Sequence, residues 1–192
     1  LFGNVILENL KIMQVKTFIN FSTVWENYNG KKGNYYNLYS AYKDSFLNII
    51  NYYKKKYYQI KFLNLVISDT FGQNDRRKKL INILKLNYKK KCKTKIISQN
   101  LYINLLNVTD VIYAINLILK GNYKSGTYSL QNNRLFKIKD IIWNINKYQK
   151  QKIKIQWLSK KIIKEKIYRF KPFKNWKPYS SKIKDVVKII TE

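Results

Sequence analysis

The sequence contains no histidine and a single cysteine, Cys92, among its 192 residues. The absence of histidine excludes His-dependent catalytic triads, and the lack of a second thiol excludes an internal disulfide and a cysteine-based metal site. We therefore predict no metal centre. There is also no long uncharged apolar run and no signal-peptide pattern, so we predict no membrane span and a cytoplasmic location.

Proline and glycine are scarce, with two and six residues, whereas hydrophobic residues make up 45% of the chain and aromatic residues 16%. This composition predicts a packed core and not a disordered chain. The length suffices for one sizeable domain or two small ones.

Acidic residues are few, 10 against 39 basic ones, which gives a net charge of +29. Such a charge is compatible with a nucleic-acid partner or an anionic surface. However, lysine, asparagine, isoleucine, tyrosine and phenylalanine are all abundant, and their codons are the richest in A and T. Selection for phosphate binding would enrich mainly lysine and arginine. Compositional drift is therefore favoured over nucleic-acid binding, and a contribution of the charge to binding a smaller anion stays open.

Hydrophobic periodicity predicts alternating helices and strands. The predicted helices cover residues 1–15, 39–58, 80–86, 110–120, 137–148 and 181–190, and the strands 17–22, 60–67, 101–106, 126–130 and 153–157. A basic connector is expected over 89–95, and Thr109 or Asp110 is expected to cap the fourth helix. The continuous apolar strand at 60–67 is typical of a parallel sheet, so the fold class is α/β.

One pair of residues in this pattern suits acid–base chemistry. Tyr39 and Lys43 are four residues apart at the start of the second helix and therefore share one face. A tyrosine with a pKa of about 10 is only about 0.1% ionised at pH 7, and a neighbouring cation favours the phenolate. Lowering that pKa by about three units takes roughly 4 kcal/mol, to which the lysine and a further cation beside the phenol would contribute. The pair is therefore a candidate general acid/base.

The spacing alone is not specific, since composition gives about three or four such pairs by chance. Four other tyrosines also have lysine four residues later: Tyr28, Tyr52, Tyr57 and Tyr148. Only the helix of Tyr39 lies between two buried strands that end in polar residues, Ser22-Thr23 and Ser68-Asp69-Thr70. This context selects Tyr39.

With this helix and its two flanking strands, the sequence resembles the extended short-chain dehydrogenase/reductase family, and within it the sugar-nucleotide epimerase/dehydratase branch. FINFSTVWENYN resembles the strand that carries the catalytic Ser or Thr, and YNLYSAYKDSF resembles the Tyr-x-x-x-Lys helix. Four more segments follow in the family's order: LNLVISDTFGQNDRRKKLI, INLLNVTDVIYAI, GTYSLQNNRLFKIKDI and NWKPYSSKIKDVVKII. The order of the six segments, which run through nearly all of the chain, carries the resemblance.

The resemblance implies the roles of the catalytic residues. Tyr39 would be the acid/base, Lys43 would bind the nicotinamide ribose, and Thr23 would hydrogen-bond the reacting hydroxyl, with Ser22 as the alternative. Tyr39, Lys43 and Ser22 would then contact the cofactor, NAD or NADP. An ordinary strand-end hydroxyl stays an open alternative for Thr23.

The resemblance also implies a substrate site. Asp69, Thr70 and Phe71 would lie near the sugar of a nucleotide-sugar substrate. Arg77 and Arg169 would contact its diphosphate, because the guanidinium fork matches phosphate oxygens. For each arginine, a plain surface charge remains the alternative.

The expected architecture is the second half of a doubly wound parallel sheet over residues 1–88, followed by a mainly substrate-binding α+β lobe over 89–192. The family's Gly-x-x-Gly-x-x-Gly turn, which holds the cofactor pyrophosphate at a helix N-terminus, is not in this sequence. Roughly 80 to 100 residues would precede this chain in a family member of ordinary size. A segment without them is expected to leave a strand edge uncovered and to be unstable and inactive alone.

Four residues depart from the family's pattern. Val66 stands where an arginine is usual, and Gln131 where a glycine is usual. Val24-Trp25 stands where dehydratases place an Asp-Glu pair directly after the catalytic threonine. We therefore expect an epimerase or reductase more than a dehydratase.

The function implied is hydride transfer at C4 of a nucleotide-linked hexose, in the synthesis of cell-surface polysaccharide precursors. The resemblance also implies a homodimer through the Tyr39 helix and the helix before it. Two alternatives stay open: a basic nucleic-acid-binding protein, and an inactive remnant of the enzyme.

Overall fold

The computed structural model describes residues 2–192. The helices are α1 (Phe2–Asn9), α2 (Leu38–Lys56), α3 (Leu80–Lys89), α4 (Val108–Lys120), α5 (Ile138–Tyr148) and α6 (Ile183–Thr191), with a 3-10 helix at Val24–Gly30. The strands are β1 (Thr17–Thr23), β2 (Lys61–Ile67), β3 (Asp69–Phe71), β4 (Thr94–Ile96), β5 (Leu101–Ile103), β6 (Leu105–Asn107), β7 (Gly126–Leu130), β8 (Phe136–Lys137), β9 (Ile155–Trp157), β10 (Ile163–Lys164) and β11 (Lys171–Pro172).

The chain divides into two compact units. Unit 1 comprises the chain up to Ile67 together with Asn116–Leu130 and Lys166–Asn175. Unit 2 comprises Ser68–Ile115, Gln131–Glu165 and Trp176–Glu192. The boundary predicted at residue 88 therefore does not fall between the units. The reason is long-range pairing, because β7 and β11 join the sheet that β1 and β2 begin.

Unit 1 contains a parallel sheet in the order β1-β2-β7-β11. Its first two strands pair over their full lengths, from Thr17 opposite Lys61 to Thr23 opposite Ile67. Apolar side chains of α1, α2, β2 and the residues next to their ends form one core cluster: Leu7, Leu10, Ile50, Tyr53, Tyr57, Ile60 and Phe62. The α/β prediction with a parallel sheet is confirmed.

Unit 2 is built around α3, α5 and α6. Their apolar faces meet in a second core cluster that includes Leu84, Ile138, Ile141, Ile145, Val186 and Ile190. Short strand pairs surround it: β3 with β6, β4 with β9, and β5 with both β8 and β10. The amphipathic spacing that identified these helices in the sequence is thus the spacing of their buried faces.

Several predicted boundaries differ from the structure. The first helix ends at Asn9, and Gln14 has a φ of 52°, so the chain turns before β1; Leu1 lies outside the described residues. The strand predicted over 101–106 is two strands separated by Asn104. The predicted connector over 89–95 is shorter, because α3 extends to Lys89 and β4 begins at Thr94.

The cap predicted for α4 is also wrong. The Asn107 side chain, and not Thr109 or Asp110, accepts a hydrogen bond from the backbone N–H of Thr109 at 3.0 Å. Asp110 is fully buried inside the first turn, where its carboxylate binds the segment at 179–181.

We expect Leu84→Ala to lower the free energy of unfolding by about 3 kcal/mol. Leu84 is fully buried in the core of unit 2, so truncation removes apolar contacts and leaves a cavity. Leu86→Ala on the same helix is the matched control, because that side chain is 56% exposed. Urea denaturation of both variants measures the difference, and equal destabilisation would contradict the assigned faces of α3.

Candidate functional site

The end of β1 fixes the geometry of Thr23. The Thr23 hydroxyl oxygen accepts a hydrogen bond from the backbone N–H of Trp25 at 3.3 Å. In return, the Glu26 carboxylate accepts one from the backbone N–H of Thr23 at 3.2 Å. This reciprocal arrangement is a capping box at the start of the 3-10 helix. A hydroxyl that accepts in this way can still donate its own proton to a ligand.

Ser22 is in a different position. Its side chain is buried, and its hydroxyl donates to the Glu26 carboxylate at 3.2 Å. The prediction that Ser22 contacts the cofactor therefore has no support in this geometry. Because neighbouring residues of a strand point to opposite faces, the structure favours Thr23 over Ser22 as the ligand of a reacting hydroxyl.

Glu26 is a residue that the sequence reasoning missed. Burial raises the pKa of its carboxyl above the ordinary value, while hydrogen bonds from Thr23 and Ser22 and the charge of Lys43 act in the opposite direction. Its role is to hold the turn that positions Thr23. The signal was present in the sequence, because Thr23 and Glu26 fit the Thr-x-x-Glu pattern of a capping box.

Helix α2 positions the two other predicted catalytic residues. Asn37 caps it, accepting from the Ser40 backbone N–H at 3.0 Å, which places Tyr39 in the first turn and Lys43 one turn later. The Lys43 ammonium donates to the Phe21 carbonyl at 2.6 Å. The Lys43 ammonium therefore lies near the carboxyl end of β1, because Phe21 is two positions before Thr23 in that strand. The Tyr39 side chain is 53% exposed.

Thr23, Tyr39 and Lys43 thus lie in one unit, on β1 and the helix that packs beside it. The Lys43 ammonium has three N–H donors, of which Phe21 takes one, and it can offer the others to ribose hydroxyls. An exposed phenol and a strand-end hydroxyl suit a sugar hydroxyl. This donor set fits the nicotinamide-ribose part of NAD or NADP together with a sugar.

The predicted sugar-binding residues lie in unit 2, and each has a defined environment. Asp69 forms an ion pair with Lys79 at 2.8 Å. The Thr70 hydroxyl accepts from Arg77 at 2.9 Å. Phe71 is buried in the core of unit 2 and also lines a cavity of this unit, and its place near a sugar stays a prediction.

The two predicted diphosphate ligands fall in different units. The Arg77 guanidinium binds the Asp75 carboxylate at 2.6 Å and Thr70, and this pairing lowers the pKa of Asp75. The Asp75 and Arg77 side chains line a cavity of about 510 Å³ within unit 2. Arg169 is exposed and belongs to unit 1. Arg77 thus already has an anionic partner, whereas Arg169 presents its charge to solvent.

Glu165 is a second residue that the sequence did not indicate. Its carboxylate accepts a hydrogen bond from the backbone N–H of Asn104 at 2.6 Å. Burial raises the pKa of Glu165 to about 7; the Asn104 bond opposes this shift, and the nearby negative charge of Asp69 adds to it. No local pattern marks this contact, because Asn104 and Glu165 are 61 residues apart.

The raised pKa of Glu165 predicts a pH-dependent stability. The folded pKa of about 7 lies above the ordinary value of 4.5, so the folded state binds this proton more tightly than the unfolded state does. The resulting stabilisation is fully present below pH 4.5 and is lost as the pH rises to 7. We expect Glu165→Gln, which keeps an acceptor for Asn104, to be more stable than the parent by about 2 kcal/mol at pH 8 and nearly equal at pH 4.

Urea denaturation across this pH range measures the effect. Glu8→Gln, an exposed position on α1, controls for the loss of one negative charge. Parallel pH profiles for Glu165→Gln and the parent would contradict the assignment.

Residues 2–192 contain neither a metal-binding cluster nor a membrane-spanning helix. No cluster of three or more histidine, cysteine, aspartate or glutamate residues in this range could hold a metal ion. No helix in the same range combines the length and apolarity needed to cross a membrane.

The chain is similar in sequence to a curated protein and in fold to many solved structures. The chain is 30% identical over 150 residues to a CDP-abequose synthase from Yersinia pseudotuberculosis, a match that covers 74% of this chain and 51% of that protein. The chain therefore spans about half the length of the curated relative it matches. No protein-family model matches it.

The fold is similar to solved structures of nucleotide-sugar enzymes. With a UDP-glucose 4-epimerase from Thermus thermophilus, in complex with NAD, the TM-score is 0.75 at 15% identity, covering 98% of this chain and 67% of that one. With a dTDP-glucose 4,6-dehydratase from Bacillus anthracis, also with NAD, the TM-score is 0.75 at 19% identity, covering 98% and 64%. Nothing in the comparisons supports the nucleic-acid-binding alternative.

Proposed function

Because this chain belongs to the extended short-chain dehydrogenase/reductase family, we propose that it carries the catalytic residues of an NAD(P)-dependent enzyme that acts at C4 of a nucleotide-linked hexose. The observation that supports the proposal is the hydrogen bond from the Lys43 ammonium to the Phe21 carbonyl, which holds the helix of Tyr39 and Lys43 beside the strand that ends at Thr23. Ligands of open α/β sheets bind at this end of the strands.

Each of the three side chains has a separate role in the proposed reaction. The Thr23 hydroxyl donates a hydrogen bond to the C4 oxygen and fixes its position. The Tyr39 phenol exchanges the hydroxyl proton with that oxygen, and the positive charge of Lys43 stabilises the phenolate. Lys43 is held for this task by Phe21. When bound, NAD or NADP accepts or donates the hydride.

Within this class we propose epimerisation or 4-keto reduction. Val24 is buried and Trp25 is aromatic, so neither supplies the carboxyl groups that a dehydratase uses directly after its threonine. The similarity to a CDP-abequose synthase makes CDP-linked hexoses and their 4-keto derivatives the first substrates to test. A diphosphate substrate also suits the basic residues, Arg169 among them.

The test is turnover by the natural full-length protein, followed at 340 nm with NAD or NADP and a panel of CDP-, dTDP- and UDP-linked hexoses. We expect nucleotide-sugar-dependent oxidation or reduction of the cofactor, or epimerised sugar by NMR. Binding of nucleotide sugar without turnover identifies the inactive-remnant alternative. Failure to bind any nucleotide sugar excludes the proposed function.

A homodimer through α1 and α2 is part of the proposal. Both helices carry exposed apolar or aromatic side chains, among them Phe2, Val5, Tyr42 and Tyr52, which a partner helix pair can cover. We also propose a reducing, cytoplasmic setting, which suits an exposed free thiol at Cys92. Sedimentation analysis tests the dimer.

A further inference from the structure

Unit 1 has a cavity of about 420 Å³ whose wall carries three lysines. The wall comes mainly from two stretches of chain, one between α4 and β7 and one that starts at β11. The cavity is here called the basic cavity and is defined by Asn122, Lys124, Lys171, Lys174 and Asn175. None of the described residues in its wall is aspartate or glutamate. Its volume is within the range of cavities that bind small ligands.

Fixed contacts hold the two stretches of the wall together. The Tyr123 and Phe173 rings stack with their centroids 4.4 Å apart, and the buried Phe173 ring meets the Tyr128 ring edge-on at 5.4 Å. The Tyr123 hydroxyl donates to the Lys174 carbonyl at 3.2 Å, and the Tyr128 hydroxyl donates to the Lys124 carbonyl at 2.8 Å. The backbones that carry these lysines are therefore fixed relative to each other without a ligand.

The basic cavity adjoins the amino ends of the parallel strands. The Lys61 ammonium, at the start of β2, donates to the Asn122 side-chain oxygen at 2.7 Å, so the Asn122 amide N–H groups are left as donors. Thr23, in contrast, is at the carboxyl end of β1, which pairs with β2 in parallel. The seven residues of β2 place about 20 Å between its two ends. The basic cavity is thus separate from the proposed catalytic residues.

The lysine charges of the basic cavity are not neutralised by carboxylates. The acidic residues of unit 1 are Glu8, Glu26 and Asp44. Glu26 is buried in the turn after β1, and Asp44 accepts a hydrogen bond from Tyr35 at 2.7 Å. Among the described residues, no ion pair involves a lysine of this cavity. An anion bound there would be attracted by three positive charges whose mutual repulsion it relieves.

We propose that the basic cavity binds an anion with adjacent phosphate groups, either free diphosphate or the diphosphate of a nucleotide. This inference does not depend on the proposed function. Each lysine ammonium offers three N–H donors to phosphate oxygens, and the Asn122 amide adds neutral donors beside them. Diphosphate carries more negative charge than a single phosphate and presents oxygens to several lysines at once, so it is the preferred ligand.

Titration calorimetry of the natural full-length protein with sodium diphosphate and with sodium phosphate, at about 0.15 M salt, tests the inference. We expect Lys171→Gln/Lys174→Gln to weaken diphosphate binding about tenfold, as the loss of two exposed charge pairs implies. Lys171→Arg/Lys174→Arg, which keeps both charges, should bind within about threefold of the parent. Lys90→Gln/Lys93→Gln removes the same charge from an exposed lysine run of unit 2 and should bind within about twofold.

Two further measurements identify the ligand and locate its site. Cytidine diphosphate should bind with the same dependence on Lys171 and Lys174; tighter binding than that of diphosphate identifies a nucleotide as the ligand, and weaker binding identifies free diphosphate. In the unmodified protein, diphosphate should protect Lys124, Lys171 and Lys174 from acetylation, which mass spectrometry detects without any substitution. This second measurement does not depend on the folding of a variant.

Three outcomes would overturn the inference. They are an absence of diphosphate binding by the parent, an equal loss of affinity in the cavity variant and in Lys90→Gln/Lys93→Gln, and acetylation of the cavity lysines at the same rate with and without diphosphate. Each of them leaves the proposed function standing, because nucleotide-sugar turnover is measured separately.

Discussion

Tyr39→Phe in the full-length protein is expected to lower turnover of a nucleotide-linked hexose by about 10²- to 10⁴-fold, the usual contribution of a positioned acid/base. The substitution removes one hydroxyl from a side chain that is half exposed in the first turn of α2, so folding should be unaffected. The KM for the sugar should change little, because the proton transfer occurs in the transition state. Steady-state kinetics with the preferred cofactor measures both values.

Tyr42→Phe provides the matched control for this variant. Tyr42 is on the same helix, is 66% exposed and directly precedes Lys43. It loses the same hydroxyl without touching the proposed chemistry, so its turnover should stay within about twofold of the parent. Full turnover by Tyr39→Phe, or an equal loss in Tyr42→Phe, contradicts the role of Tyr39.

The parts of the fold that could be predicted from the sequence are those with strong local periodicity. β2 is a continuous apolar strand, β1 is rich in β-branched and aromatic residues, and α2, α5 and α6 have a clear apolar face, so their positions agree to within a few residues. The Tyr39 and Lys43 pair could be identified for the same reason, since the relation between its members lies within one helical turn.

The remaining structure depends on contacts between distant segments. Strands of two or three residues, such as β10 and β11, have too few positions for a pattern and exist because β5 and β7 pair with them. The two units interleave along the chain for the same reason. The environment of Glu165 likewise arises only when Asn104, far away in sequence, is brought to it.

Arg77 shows a different limit of the sequence reasoning. Its side chain type suited a diphosphate, but the structure places Asp75 and Thr70 around its guanidinium. A sequence pattern identifies which side chains are able to bind an anion, and it does not show which of them already have a partner. Only the folded turn after β3 brings these three side chains together.

Asp110→Ala is expected to lower the free energy of unfolding by about 4 kcal/mol, the largest stability effect among our predictions. The buried carboxylate accepts hydrogen bonds from the backbone N–H groups of Tyr179 and Ser180, at 2.9 and 3.0 Å, and from the Ser181 hydroxyl. Hydrogen bonds to a charged group contribute about 1.5 to 3 kcal/mol each, and the Ser181 hydroxyl left behind is buried. Urea denaturation measures the loss.

For Asp110→Ala, hydrogen exchange distinguishes a general weakening of unit 2 from a local release of the segment at 179–181. The backbone carbonyl of residue 110, which binds the Trp176 indole N–H at 2.9 Å, remains in Asp110→Ala. We therefore expect the amides at 179–181 to lose hydrogen-exchange protection first, while those of α3 and α5 follow the global free energy. Asp140→Ala, an exposed carboxylate in the first turn of α5, is the control and should change stability by less than about 0.5 kcal/mol. If Asp110→Ala were as stable as this control, Asp110 would not be what holds the segment at 179–181 to α4.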